Sequence, residues 1–216
     1  PINRVIRQTV EKIQQVEGKT TVQTVVIKEE DLVVDAIAKN QSAIFTVTRE
    51  MTDEIGKLAE FSAGKAFVLN PEGTLVADAA LVPEAGIYYV KNESGKFKAE
   101  FVSTNKDGFS FMKIGMPLEE KNKLSFSVPF FGDLSKMKVG QKILVLGGSI
   151  SSSVFDGNKN LRLNVGKSSA GGMVINLDGE VIGMALFSEM YSFVSIDSIL
   201  DALKPKEIPK EAPKTL

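Results

Sequence analysis

No histidine and no cysteine occurs anywhere in the 216 residues. The missing histidine removes the usual general base for a serine or cysteine nucleophile and the commonest zinc ligand. The missing cysteine removes disulfides, thiolate metal sites and a thiol nucleophile. No cofactor is expected from what is left. Tryptophan is also absent, aromatic residues are 7% of the chain and the formal net charge is -1. That balance gives no electrostatic pull toward nucleic acid and little material for stacking bases. No apolar run reaches the ~20 residues that cross a bilayer as a helix. The chain opens on Pro1 rather than Met. A processed or excised start is therefore expected, with any leader, membrane anchor or PDZ domain outside the sequence in hand.

What is present is an ordinary core-forming composition, with 43% hydrophobic and 25% charged residues. Residues 2–17, INRVIRQTVEKIQQVE, space Ile2, Ile6, Thr9, Ile13 and Val16 by four and three, which predicts an amphipathic helix over 1–18. Its seam would pack on its own domain or join subunits, and two heptads are marginal alone. TTVQTVVI (20–27) reads as extended, and EEDLVVDAIAKN (29–40) as a helix with acids in its first turn.

From residue 42 onward the chain alternates short β-rich segments with turn residues. SAIFTVT, GKAFVLN, TLVADAALV, IYYVK, KFKAEFVST and FSFMKI come first; KILVLGG, LRLNV, MVINL, EVIGMALF and YSFVSI follow. Asn70-Pro71-Glu72-Gly73 and Leu177-Asp178-Gly179-Glu180 are hairpin signals. About eleven strands without alternating helices predict an all-β pair of barrels or sandwiches. MTDEIGKLAEF (51–61) is either hairpin packing or a contact patch. SIDSILDALK (195–204) predicts a closing helix, and the Pro/Lys-rich residues 204–216 a solvated tail.

Four segments carry a resemblance. GKAFVLNPEGTLVADAALV, KFKAEFVSTNKDGFSFMKI, GDLSKMKVGQKILVLGG and NVGKSSAGGMVINLDGEVIGMALF are similar, in that order, to four motifs of the trypsin-like protease domain of the HtrA/DegP family. VSIDSILDAL resembles the family's closing strand and helix, and the likeness covers about residues 32 to 203. It implies two packed six-stranded antiparallel β-barrels, at about 42–115 and 124–196 within a domain of 19–203, flanked by an N-terminal and a C-terminal helix. It also implies a cleft between the barrels and an extracytoplasmic setting in periplasm, envelope or cell surface.

Carried over position by position, the family's triad is lost. Its His falls on Ala80, its Asp on Gly108 and its Ser on Ala170, with Met173 where the family has proline. Asp107 lies one residue before the acid position, an offset that turns a strand side chain to the opposite face. A single engineered Ser→Ala change would not account for all these departures together. A nucleophile replaced by a methyl group forms no acyl-enzyme. In subtilisin, loss of the nucleophile costs on the order of a million-fold in turnover.

Three functions follow as alternatives. The first is a catalytically inactive pseudoprotease that binds a protein or peptide partner or serves as a scaffold. A nest of backbone N–H groups at Ser168, Ala170 and Gly171 would then bind a carbonyl without cleaving it, and a homo-oligomer, a trimer by family habit, is expected. The second is a hydrolase with a relocated site, Ser168 or Ser169 activated by Lys167. The third is a structural subunit of an envelope or extracellular assembly.

Overall fold

A computed structural model describes residues 7–16, 19–52, 54–188 and 192–204, with side chains described from residue 28 onward. Strands β1 (Arg7–Val16) and β2 (Lys19–Lys28) form a two-stranded antiparallel sheet and lead into helix α1 (Glu29–Asn40). The helix expected over residues 2–17 is thus corrected to a strand over residues 7–16. Of its seam, Thr9, Ile13 and Val16 lie in β1, whereas Ile2 and Ile6 fall outside the described residues. The physical reason is competition. A two-heptad helix gains little alone, whereas residues 7–16 in extended form pair in unbroken register with the Thr/Val-rich segment that follows. A strand repeats every two residues, so the 4-3-4-3 spacing no longer makes one face.

Six strands then close a barrel in the order β3-β4-β5-β8-β7-β6. They are β3 (Ile44–Thr52), β4 (Leu58–Val68), β5 (Thr74–Asp78), β6 (Tyr88–Asn92), β7 (Gly95–Thr104) and β8 (Phe109–Pro117). Phe45, Phe67, Leu75, Phe97, Phe109 and Met112 fill it, all fully buried. The segment 51–61 is the far end of the β3–β4 hairpin, where Leu58 and Phe61 are exposed rather than packed.

The second half differs from expectation. Strands β9 (Lys142–Leu146), β10 (Ile150–Val154), β11 (Met173–Asn176), β12 (Val181–Ala185) and β13 (Phe193–Ser195) form one five-stranded sheet, order β10-β9-β11-β12-β13. A closed six-stranded second barrel is not formed by ladder hydrogen bonds among the described residues. LRLNV, expected as a strand, is irregular. It keeps a strand's alternation, with Leu161 buried and Leu163 and Val165 packed on the same small core. Its backbone is tied instead to a side chain, because the Ser192 hydroxyl accepts from Leu163 N at 2.7 Å and donates to Leu161 O at 3.3 Å.

The inner strands β9, β11 and β12 are buried on both faces, which is why they read as near-continuous apolar runs rather than alternating ones. Leu144, Leu146, Met173 and Ile175 join the core that runs into the barrel, while Ile143, Val145, Val174 and Ile182 face a separate core with Leu134, Phe155 and Phe193. Helix α2 (Ile196–Leu203) follows β13 directly. The Ser195 hydroxyl caps it, accepting from Ser198 N at 3.3 Å. The tail expected beyond it lies, from residue 205, outside the described residues.

Helix α1 is locked to the second sheet by one buried side chain. Asn40, 1% exposed, donates through Nδ2 to Ala36 O at 2.9 Å and to Gly179 O at 2.8 Å, in the β11–β12 turn. Asn40→Ala removes both bonds and leaves the Gly179 carbonyl unpaired inside the protein. A loss of about 1–3 kcal/mol in a urea unfolding titration is the expected result.

Candidate functional site

The cleft is built where β5 ends. The strand TLVAD drives Asp78 into the interior at 2% exposure, and the chain then turns. Asp78 Oδ1 accepts from Ala80 N at 2.8 Å, and Oδ2 accepts from Phe187 N at 2.5 Å, just beyond β12. Burial pushes the Asp78 carboxyl above the ordinary carboxylate range, and the two N–H donors partly oppose that rise. One carboxylate therefore joins the barrel to the second sheet.

The sequence-marked positions gather around this carboxylate. Ala80 is exposed at the turn, and Ala79 N donates to Gly108 O at 3.0 Å, which sets Ala80 and Gly108 side by side. Both line a cavity of about 660 Å³ between the two halves, together with Asp107, Phe187 and Lys159. Gly108 has φ +92°, a left-handed conformation that costs an L side chain energy, and a methyl there would meet Leu186 Cδ1 at 3.3 Å. Asp107 is exposed, and its N–H is turned to Asn105 Oδ1 at 2.9 Å.

Ala170 lies on the other side of Asp78. It is fully buried, and its carbonyl accepts from Lys65 N in β4 at 2.8 Å. Gly171, at φ +74°, follows so closely that a methyl on it would lie 1.9 Å from the Lys65 carbonyl oxygen and 3.3 Å from Asp78 N. Lys65 itself is half-buried, with Nζ donating to Thr46 Oγ1 at 2.8 Å, and loss of hydration holds its ammonium below the ordinary lysine range.

No family model matches the sequence. Among curated relatives, a probable periplasmic serine endoprotease, DegP-like, of Bartonella henselae is 24% identical over 174 residues, 70% of this chain and 33% of its own length. A protein of the same description from Brucella suis is 25% identical over 167 residues, 67% of this chain and 32% of its own. The chain spans about a third of the length of these relatives. Among solved structures, the HtrA-type protease AlgW with a decapeptide superposes at a TM-score of 0.63 and 15% identity, over 79% of this chain and 66% of that one. In sequence the chain is similar to DegP-like endoproteases, and it shares the trypsin-like fold of the HtrA-type protease.

Within this fold, the loop before Ala170 is a 3-10 turn over Lys167–Ser169. It packs its serines onto Gly147-Gly148: Gly148 N donates to Ser169 Oγ at 3.2 Å, and a methyl on Gly147 would meet Ser169 Cβ at 2.4 Å. Ser168 is exposed and Ser169 half-buried. Among the described residues no hydrogen bond joins Lys167 Nζ to either hydroxyl. Of the three N–H groups expected to form a nest, those of Ala170 and Gly171 donate within the protein. Ala170 N donates to Lys167 O at 3.3 Å, and Gly171 N to Ala185 O at 2.8 Å. The 3-10 turn brings the one carbonyl round to its N–H, and the neighbouring strand supplies the other.

The sequence reading missed Asp78, Lys65 and Phe187. A lone acid closing an apolar strand, as in TLVAD, was the available signal for Asp78. Lys65 and Phe187 act through backbone atoms that no side-chain pattern reports. No group of three or more Asp, Glu, His or Cys is placed to hold a metal ion among the described residues, and no helix among them is long and apolar enough to cross a membrane.

Proposed function

We propose that this HtrA-like domain does not cleave peptides, and works by holding a protein or peptide segment in the cleft beside Ala80, Gly108 and Phe187. One observation carries the reading. The position that should present an attacking oxygen is a fully buried methyl group, Ala170, whose carbonyl is bound to Lys65 N. The acid position supports it, because Gly108 sits in a conformation that a carboxylate-bearing residue enters only at a cost. The relatives are named endoproteases, but an activity does not pass at 24–25% identity to a chain without histidine. Their periplasmic description supports an extracytoplasmic setting here too.

The test is a fluorophosphonate probe, which reacts with activated serines. No labelling is expected of the native protein. None is expected of Ala170→Ser either, because position 80 offers no base. Stoichiometric labelling lost in Ser168→Ala or Ser169→Ala would instead establish the relocated Ser/Lys site. For the binding half of the proposal, extended peptides selected on the domain should lose at least tenfold in affinity when Ala80→Arg fills the cleft mouth.

A further inference from the structure

The second sheet ends in a strand with a bare outer edge. β10 pairs with β9 from Ile150↔Leu146 to Val154↔Lys142 without a bulge, and no other strand among the described residues pairs with it. The segment 161–165, which would close a barrel, is bound at the Ser192 end instead. A free edge is ordinarily protected by a charge, a proline or a bulge. β10 has none of these. Its sequence is Ile150-Ser151-Ser152-Ser153-Val154, with Ile150 and Val154 55% and 58% exposed.

The strand also reads nearly the same in both directions. Two copies laid antiparallel and centred on Ser152 put Ile150 opposite Val154 of the second copy, Ser151 opposite Ser153, and Ser152 opposite itself. Aliphatic residues then meet aliphatic residues and hydroxyls meet hydroxyls. Such matched cross-strand pairs stabilise a sheet. No like charges oppose each other along the strand, and the one lysine in its ladder register, Lys142, is already paired with Glu29.

We propose that β10 is a self-complementary edge through which two copies of this chain join their five-stranded sheets across a two-fold axis at Ser152. The contact is isologous, so it closes at two and does not run on into a fibre. The pleat puts Ile150, Ser152 and Val154 on one face. Pairing therefore gathers four exposed aliphatic side chains into one patch. Val139, 73% exposed and lining the same groove as Val154, extends it. This edge is separate from the cleft, and the inference stands whether or not the domain cleaves peptides.

The absence of cysteine makes the test clean. Ser152→Cys faces only its own copy across the axis, and mild oxidation should give a disulfide-linked dimer. Ser151→Cys and Ser153→Cys should each stay free of cross-links when oxidised alone and cross-link when mixed in equal amounts. Analytical ultracentrifugation of the unmodified protein should show a concentration-dependent dimer. Ser152→Asp, which opposes two carboxylates at the axis but stays solvated in a single chain, should abolish it while keeping the native circular dichroism spectrum. A monomer at every concentration, a trimer untouched by Ser152→Asp, or equal cross-linking at all three cysteine positions would overturn the proposal. So would a monomer that takes up an added strand-forming peptide along β10.

Discussion

Gly171→Ala should be the most damaging single-methyl change in the domain, at about 4 kcal/mol or more in urea unfolding. Two costs add. The left-handed backbone, φ +74°, costs an alanine about 1–2 kcal/mol by itself. The new methyl would also stand 1.9 Å from the Lys65 carbonyl oxygen, so β4 and the Ala170 turn must move apart. That movement breaks the bond from Lys65 N to Ala170 O and loosens the packing beside Asp78. Gly56→Ala separates the two costs. Gly56 has a similar φ of +81° with nothing within 4 Å of the added methyl, so it should lose only about 1 kcal/mol. Comparable losses at the two positions would show that the joint between the halves yields easily.

Gly171 and its neighbours also mark what the sequence could and could not reveal. The barrel was legible because the start of β3, β6 and β7 alternate buried and exposed residues while β5 and the ends of β4 and β8 nearest the core read as short apolar runs, and because explicit turn signals separate them; Asn70, for instance, accepts from Thr74 N through its side chain. Helix α1 was legible to the residue, since its apolar face and its first-turn acids agree. The hairpin at residues 7–28 was not. Its first strand carries a heptad-like spacing, and pairing with β2, invisible to a local pattern, decided the outcome. LRLNV misled in a subtler way. Its alternating burial is a strand's, but whether a strand forms depends on a neighbour's free N–H and C=O groups, and Ser192 supplies the contacts instead. At the cleft, the sequence placed Ala80, Gly108 and Ala170, which do surround one point. It did not show that the point is Asp78, because what defines the site is a pair of backbone N–H groups brought together from residues far apart in the chain.

Asp78→Asn should destabilise the domain at neutral pH by about 1–3 kcal/mol, because the amide keeps one acceptor and turns two donors toward the other N–H, of Ala80 or of Phe187. Asp78→Ala removes both acceptors and should cost more. The pH dependence tests the electrostatics independently. Burial raises the Asp78 carboxyl above its unfolded value of 3.8, so the folded state takes up a proton at a higher pH than the unfolded state does. Stability from this group is therefore fully present below the unfolded value and is lost as pH rises through the folded one. The Asp78→Asn variant has no such transition, and every other carboxylate is common to both proteins. The advantage of the native protein over Asp78→Asn should consequently widen as pH falls from neutral toward about 4, and level off below that. A gap that narrows on acidification would mean that the two N–H bonds outweigh burial and hold the carboxyl below its ordinary range. The joint between barrel and sheet would then be an anion site rather than a strained buried acid.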